Sequence, residues 1–400
     1  MARRRNARPR RRGALTAAAA VVALSAVAPP AQAAPEGTVL GAGTSGAVGG
    51  SYIVTLRAGA GAPSAVRKDI AERYGVTISR TYETALHGYA VTAGGRQARR
   101  LAADPRVASV VQDTRVWLDR VQKNPPSWGL DRIDQAEPSL DGGYTWPDPA
   151  GAGVTVYVID TGIRISHKDF GGRASYGWDF VDGDRTAADA NGHGTHVAGT
   201  VAGSGYGVAK KAKVVAVRVL DKAGAGTTAQ VIAGIDWVTR HARRPAVANL
   251  SLNGPANAQL DAAVRASIAS GVTYVVAAGN DGRPAGAYSP AHVAQAVTVG
   301  ASDRKDARAG FSNWGPSLDL FAPGVSITSD AYTSDTGTAT LSGTSMAAPH
   351  VAGAAALYLA GRPRATPAQV SRALVRQAVS GRITRAGPGS PDRLLRVIRR

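Results

Sequence analysis

Three polar residues stand where apolar runs begin or stop: Asp160 closes "YVID", His193 opens "HGTHVAGT", and Ser345 opens "SMAAPHVAGAAALYLA". A buried aspartate needs hydrogen-bond donors, a histidine supplies one, and a histidine so oriented can take the proton of a serine hydroxyl. Together the three make an activated nucleophile, and the chemistry open to it is acyl transfer. Each residue alone has a plainer explanation: Asp160 as a turn residue before Gly162, His193 as a polar group at a helix entry, Ser345 as an N-cap. Their joint occurrence, in the order Asp, His, Ser and each at the end of an apolar element, favours the chemical reading. A fourth run, "VVAAGNDG", ends in Asn280. Its amide N–H is of the kind that binds an oxyanion, as is the backbone N–H of Ser345 at a helix terminus. By itself Asn280 reads more simply as a turn residue before Asp281-Gly282.

The helix that carries Ser345 also contains Pro349. Proline lacks the N–H that an interior turn uses, so the sequence predicts Pro349 at or very near the helix start and Ser345 in the first turn. There the serine meets unpaired backbone N–H groups and the positive end of the helix dipole. Gly343 lets the backbone approach closely or turn sharply, which presents a hydroxyl at a rim and is more than a cap requires. His196 raises a metal question on the stretch that carries His193. Gly194-Thr195 stands where a His-Glu-x-x-His zinc protease carries its glutamate, so His196 is assigned to structure.

The elements that must position these residues fall into two groups. After a Gly-rich spacer, "YIVTL", "VTISRTY", "HGYAVT" and "RVASVVQ" read as strands, with helices over "AVRKDIAERYG", closed by Gly75, and "RQARRLAAD", stopped by Pro105. That is βαββαβ, a small ferredoxin-like α+β unit. A charged, proline-rich connector, "DTRVWLDRVQKNPPS", sets a boundary near Arg120. Beyond it, β-branched runs such as "GVTVYVID", "AKVVAVRVL", "AVANLSL" and "VTYVVAAGN" alternate with helical segments. Short continuous apolar strands between helices predict an α/β fold, a parallel sheet with helices on both faces. Ligands in such folds sit at the carboxyl ends of strands, where the polar residues above lie.

Composition narrows the partners. The net charge is +19, but its placement matters more than its size. Residues 1–34 carry seven Arg and no acid, the last forty carry ten Arg and one Asp, and residues 121–360 hold 19 basic and 20 acidic residues. A near-neutral body argues against a nucleic-acid groove, which needs basic residues interleaved with stacking aromatics. The chain has no cysteine, which excludes disulfides, thiolate metal sites and a cysteine nucleophile. The N-terminus joins a basic stretch, an apolar run from Gly13 to Val27, and Ala31-Gln32-Ala33, which together read as a secretory signal over residues 1–33. Its apolar run is too short and too rich in alanine to span about 30 Å of hydrocarbon, so no stable membrane association is expected.

With "VIDTGI", "NGHGTHVAGT", "AAGN", "SGTSMAAPHVAG" and "WGLDRID" in hand, the chain resembles the subtilisin-like serine proteases, in their proteinase K and aqualysin branch. The chain order Asp, His, Ser is that family's order. The resemblance implies Asp160, His193 and Ser345 as the triad and Asn280 as oxyanion donor. It implies that residues 34–120 are a propeptide that inhibits and assists folding, and that residues 121–400 are the catalytic domain. The implied enzyme is a secreted, monomeric endopeptidase that needs no cofactor for catalysis and processes its own precursor. Peptide substrates would pair with Gly224, Ala225 and Gly226 on one side and Ser251, Leu252 and Asn253 on the other, with Ala277, Ala278 and Gly279 completing the primary pocket. These segments hold no acid or base, so the expected preference is apolar or aromatic and broad. Asn253 departs from the usual glycine and is expected to crowd the groove. A structural calcium site is implied at Ala294 and Ala296, through their carbonyls, and Asp319. A lipase is disfavoured because Ser345 is followed by Met-Ala and not by the second glycine of a Gly-x-Ser-x-Gly elbow.

Overall fold

The computed structural model describes residues 34–44, 47–114 and 120–397, so the signal predicted over residues 1–33 lies outside the described residues. The described residues divide into two compact units, residues 34–42 with 48–113, and residues 43, 44, 47 and 114 with 120–397.

In the first unit the strands Ala47–Leu56, Thr77–Tyr82, Gly88–Thr92 and Val107–Thr114 alternate with helices Pro63–Tyr74 and Gly95–Ala102 in βαββαβ order. A further strand, Val39–Leu40, just before the Gly-rich spacer, pairs in parallel with Val107–Thr114 and was not legible in the sequence. Gly75 ends the first helix with φ of 62°, the left-handed conformation that glycine adopts without steric cost. Val54, Ile70, Tyr89, Val91, Leu101 and Val110 form the fully buried core. Gly88 keeps two strands in register, since a Cβ there would stand 1.9 Å from the carbonyl oxygen of Val54.

The second unit is built on a nine-stranded sheet. Its spatial order is Val379–Ser380, Arg393–Leu394, Leu320–Pro323, Val297–Ser302, Thr273–Ala277, Ala246–Leu250, Thr155–Asp160, Lys213–Arg218, Ala174–Asp179. All neighbours pair in parallel except the first two. Alternate side chains of each strand go to opposite faces, as the pleat dictates. Val156, Val158, Val214, Ala216, Val247 and Val275 pack with helices His193–Ala202 and Thr344–Gly361. Tyr157, Ile159, Val217, Ala248, Tyr274 and Val276 pack with helices Thr228–His241 and Ala258–Ala269. Burial on both faces explains why the strands read as unbroken apolar runs. The chain adds Lys213–Arg218 on one side of Thr155–Asp160 and then Ala246–Leu250 on the other. That reversal opens a crevice beyond the carboxyl ends of these strands. The "WGLDRID" segment locks into this unit through Arg132, which is fully buried and donates to both carboxylate oxygens of Asp306 over 2.8 Å.

Candidate active site

Asp160 is the last residue of its strand and is fully buried. Its Oδ1 accepts the N–H of Thr161 and lies 2.7 Å from Nδ1 of His193. His193 is the first residue of its helix, and its side chain is 27% exposed, so the imidazole bridges a buried carboxylate and open solvent. Burial pulls its pKa down, but the charge and hydrogen bond of Asp160 and the charge of Asp189 outweigh that and hold it above the ordinary value. With Nδ1–H donated to the carboxylate, Nε2 is left as the basic nitrogen.

Asp189 is a positioning residue that the motif reading missed. Its Oδ1 accepts from Thr161 Oγ1 and from the N–H groups of Asn191 and Gly192, and its Oδ2 accepts the N–H and hydroxyl of Thr195. One carboxylate thus ties the end of the Asp160 strand to the start of the His193 helix. An aspartate just ahead of "NGHGTH" is the signal that was available in the sequence.

Ser345 is the second residue of helix Thr344–Gly361. Its hydroxyl donates to the carbonyl of Ser251 over 3.0 Å and not to the imidazole. Pro349 lies in the second turn, inside the helix, and not at its start as the sequence suggested. The helix tolerates it because the acceptor that its missing N–H would have bonded, the carbonyl of Ser345, receives the hydroxyl of Ser251 over 3.0 Å.

Asn280 follows the strand Thr273–Ala277. Its Oδ1 accepts both the N–H and the hydroxyl of Thr344, each over 2.9 Å, which fixes the carbonyl end of the amide and frees the N–H end. A Cβ built on Gly343 would lie 3.6 Å from Asn280 Nδ2 and 3.6 Å from the backbone nitrogen of Ser345. Two donors therefore flank one small space beside the serine. That geometry suits a developing oxyanion.

A cleft of about 680 Å³ runs past His193 and is lined by Gly224, Ala225, Gly226, Ser251, Leu252 and Asn253, together with Asn191 and Thr228. Ala277, Ala278 and Gly279 are buried and do not line it. Asn253 is exposed, and its amide leans toward Gly279, where a Cβ would lie 2.4 Å from Asn253 Nδ2. Away from this region, Asp319 is largely enclosed. Burial raises its carboxyl pKa to about 6, against the opposing hydrogen bond from Thr298 N–H and the charge of Arg393. One of its oxygens accepts from Thr298 over 2.8 Å. Ala296 is buried nearby in the chain and Ala294 is exposed. Among the described residues no group of three or more His, Asp and Glu can hold a metal, so a cation at Asp319 would depend on carbonyl oxygens. A hard cation accepts that donor set.

Residues 151–396 match the model of the subtilase family, and residues 51–119 match that of the peptidase inhibitor I9. The chain is 47% identical over 407 residues to an extracellular serine proteinase of Thermus sp. (strain Rt41A), covering 96% of this chain and 99% of that one. It is 42% identical to a cuticle-degrading serine protease of Arthrobotrys oligospora, covering 94% and 97%. The crystal structure of a cold adapted subtilisin-like serine proteinase superposes with a TM-score of 0.66 at 50% identity, covering 68% of this chain and 98% of that one.

Proposed function

The chain belongs to the subtilase family of serine proteases, and from that premise we propose that Ser345 is its nucleophile, His193 its general base and acid, and Asp160 the residue that orients and stabilises the imidazolium. The 2.7 Å contact between Asp160 and His193 carries this reading. A substrate carbonyl enters beside Gly343, and the Ser345 hydroxyl turns from the Ser251 carbonyl toward Nε2 of His193. As the oxygen attacks, its proton passes to Nε2, and Asn280 and the Ser345 N–H receive the oxyanion. His193 then returns the proton to the leaving amine, and water repeats the sequence on the acyl-enzyme.

Peptides pair with residues 224–226 and 251–253, and the uncharged cleft supports a broad apolar or aromatic preference. Residues 1–33 act as a secretory signal, residues 34–120 as an intramolecular inhibitor and folding aid, and residues 121–400 as the extracellular enzyme. Asp319, with the carbonyls of Ala294 and Ala296, would hold a calcium ion that neutralises a buried carboxylate and takes no part in the chemistry.

The test is the Ser345→Ala precursor, expressed where no other protease acts on it. It should stay joined to its inhibitory unit, whereas the wild type separates. Normal maturation of the variant would remove Ser345 from the reaction.

A further inference from the structure

One buried side chain holds the loop that carries Asn280 on both of its arms. Asn313 is fully buried. Its Nδ2 donates to the carbonyl of Ala278 over 2.9 Å, and its Oδ1 accepts from the N–H groups of Asp281 and Arg283, 3.0 Å each. Its own N–H donates to the carbonyl of Gly279 over 2.9 Å. These bonds grip the backbone on both sides of Asn280 and leave Asn280 itself untouched. The approach is close: a Cβ on Gly279, whose φ is 101°, would stand 2.4 Å from Asn313 Nδ2. Further bonds, from Gly282 N–H to the Phe311 carbonyl, Trp314 N–H to the Arg283 carbonyl and Trp314 Nε1–H to the Gly282 carbonyl, reach only the far arm of the loop.

A side chain whose donor and acceptor both serve one turn fixes that turn's conformation, because any other arrangement leaves buried polar groups unpaired. Conformation matters here more than elsewhere. An oxyanion donor stabilises charge that exists only in the transition state, so its contribution depends on distance. Thr344 aims the Asn280 amide from one side and accepts the N–H of Gly279 over 3.1 Å, but it reaches only the near arm of the turn, and Asn313 alone bonds the backbone on both sides of Asn280.

We infer that Asn313 is a positioning residue that holds Asn280 in reach of the oxyanion, an inference that rests on the role proposed for Asn280 above. It touches neither substrate nor the reacting atoms. Its removal should therefore act through Asn280 and be felt in turnover.

A double-mutant cycle on the mature enzyme with a peptide amide substrate tests this. Asn313→Ala should lower kcat about tenfold or more while KM stays within about threefold. In an Asn280→Ala background the same change should lower kcat by less than about threefold. Asn313→Asp, which keeps the acceptor contacts and loses the donor to Ala278, should fall between, and carries the cycle if the alanine variant does not fold. Equal losses in both backgrounds, or a rise in KM with kcat unchanged, overturn the inference and leave the role of Asn280 standing. An unchanged kcat in Asn280→Ala alone overturns that role and the inference with it. If neither Asn313 variant shows the wild-type melting transition, Asn313 is a folding residue and the inference is overturned.

Discussion

The hydroxyl of Ser251 donates to the carbonyl of Ser345 over 3.0 Å, and Pro349 is what leaves that carbonyl without a helical partner. Replacing Ser251 with alanine should leave a partly buried acceptor unpaired, at a cost of about 1 kcal/mol. Pro349→Ala restores an N–H four residues on, so it should recover most of that loss in the double variant. Denaturant unfolding of enzyme blocked by a serine-directed inhibitor measures both effects. Additive changes in the double variant would show that the two residues do not share the carbonyl.

The same helix shows what a linear reading can reach. Asp160, His193 and Ser345 were visible because each interrupts an apolar run, and the runs map onto buried strands and helices of the sheet unit. Pro349 was misplaced toward the helix start because its compensation comes from Ser251, far away in sequence. Asp189 and Asn313 were missed for a related reason. Their side chains bond backbone N–H and C=O groups, which any residue offers. Val39–Leu40 was missed because a strand of two residues has no periodicity to read.

His193 should control the acid limb of activity. Burial favours its neutral form, yet Asp160 and Asp189 together hold its pKa above the ordinary value, which is about 6.5. The base form is required, so kcat/KM should rise with pH along a limb centred above about 6.5. Asp189→Asn should shift that limb toward lower pH by removing one of the raising charges. A limb that stays in place would exclude Asp189 from the electrostatics of the site.

Gly343→Ala should impair turnover without unfolding the protein. Its φ of 161° is extended backbone that alanine adopts, so no strain is introduced. The new methyl would stand 3.6 Å from both Asn280 Nδ2 and the Ser345 backbone nitrogen, in the space proposed for the charged oxygen. Loss of one donor of this kind costs about 10²–10³ in kcat, and a loss approaching that range is expected with the melting temperature little changed. Wild-type turnover would mean that the oxyanion lies elsewhere.

Asp330 should make the fold less stable as pH rises. It is fully buried, neither of its carboxylate oxygens has a hydrogen-bond donor among the described residues, and Nδ1 of His167, 3.6 Å away, is itself the acceptor of Asp169 N–H. Burial, with the charge of Asp169, raises its pKa to about 8 against the opposing charge of Arg173. Asp330 in the unfolded chain titrates near about 3.9. Between those values the folded state keeps a proton that the unfolded state has lost, so stability falls as pH rises through the window and levels off above it. Asp330→Asn removes the titration, and its melting temperature should gain on that of the wild type from pH 5 to pH 8. A difference that stays constant over this range would show that the proton is absent.

Calcium should stabilise the fold and leave the chemistry alone. A chain without cysteine has no disulfides to stabilise it outside the cell, and a weak oxygen site filled by extracellular calcium is an alternative source of stability. Asp319 forms no ion pair among the described residues, and only one of its oxygens is engaged, by Thr298. Burial already disfavours its charge, so a cation placed there relieves a cost as well as making bonds. Binding only the folded state stabilises it by ~2.7 kcal/mol at a hundredfold excess over the dissociation constant. Chelation should therefore lower the melting temperature and speed self-digestion, while initial turnover at low temperature stays within about twofold, since a ligand that stabilises folding without touching the transition state leaves kcat alone. Asp319→Asn should weaken the response to calcium in melting curves of the inhibitor-blocked enzyme. If the wild type melts at the same temperature in calcium and in chelator, no calcium acts there. If the Asn variant responds as fully as the wild type, the ion sits away from Asp319.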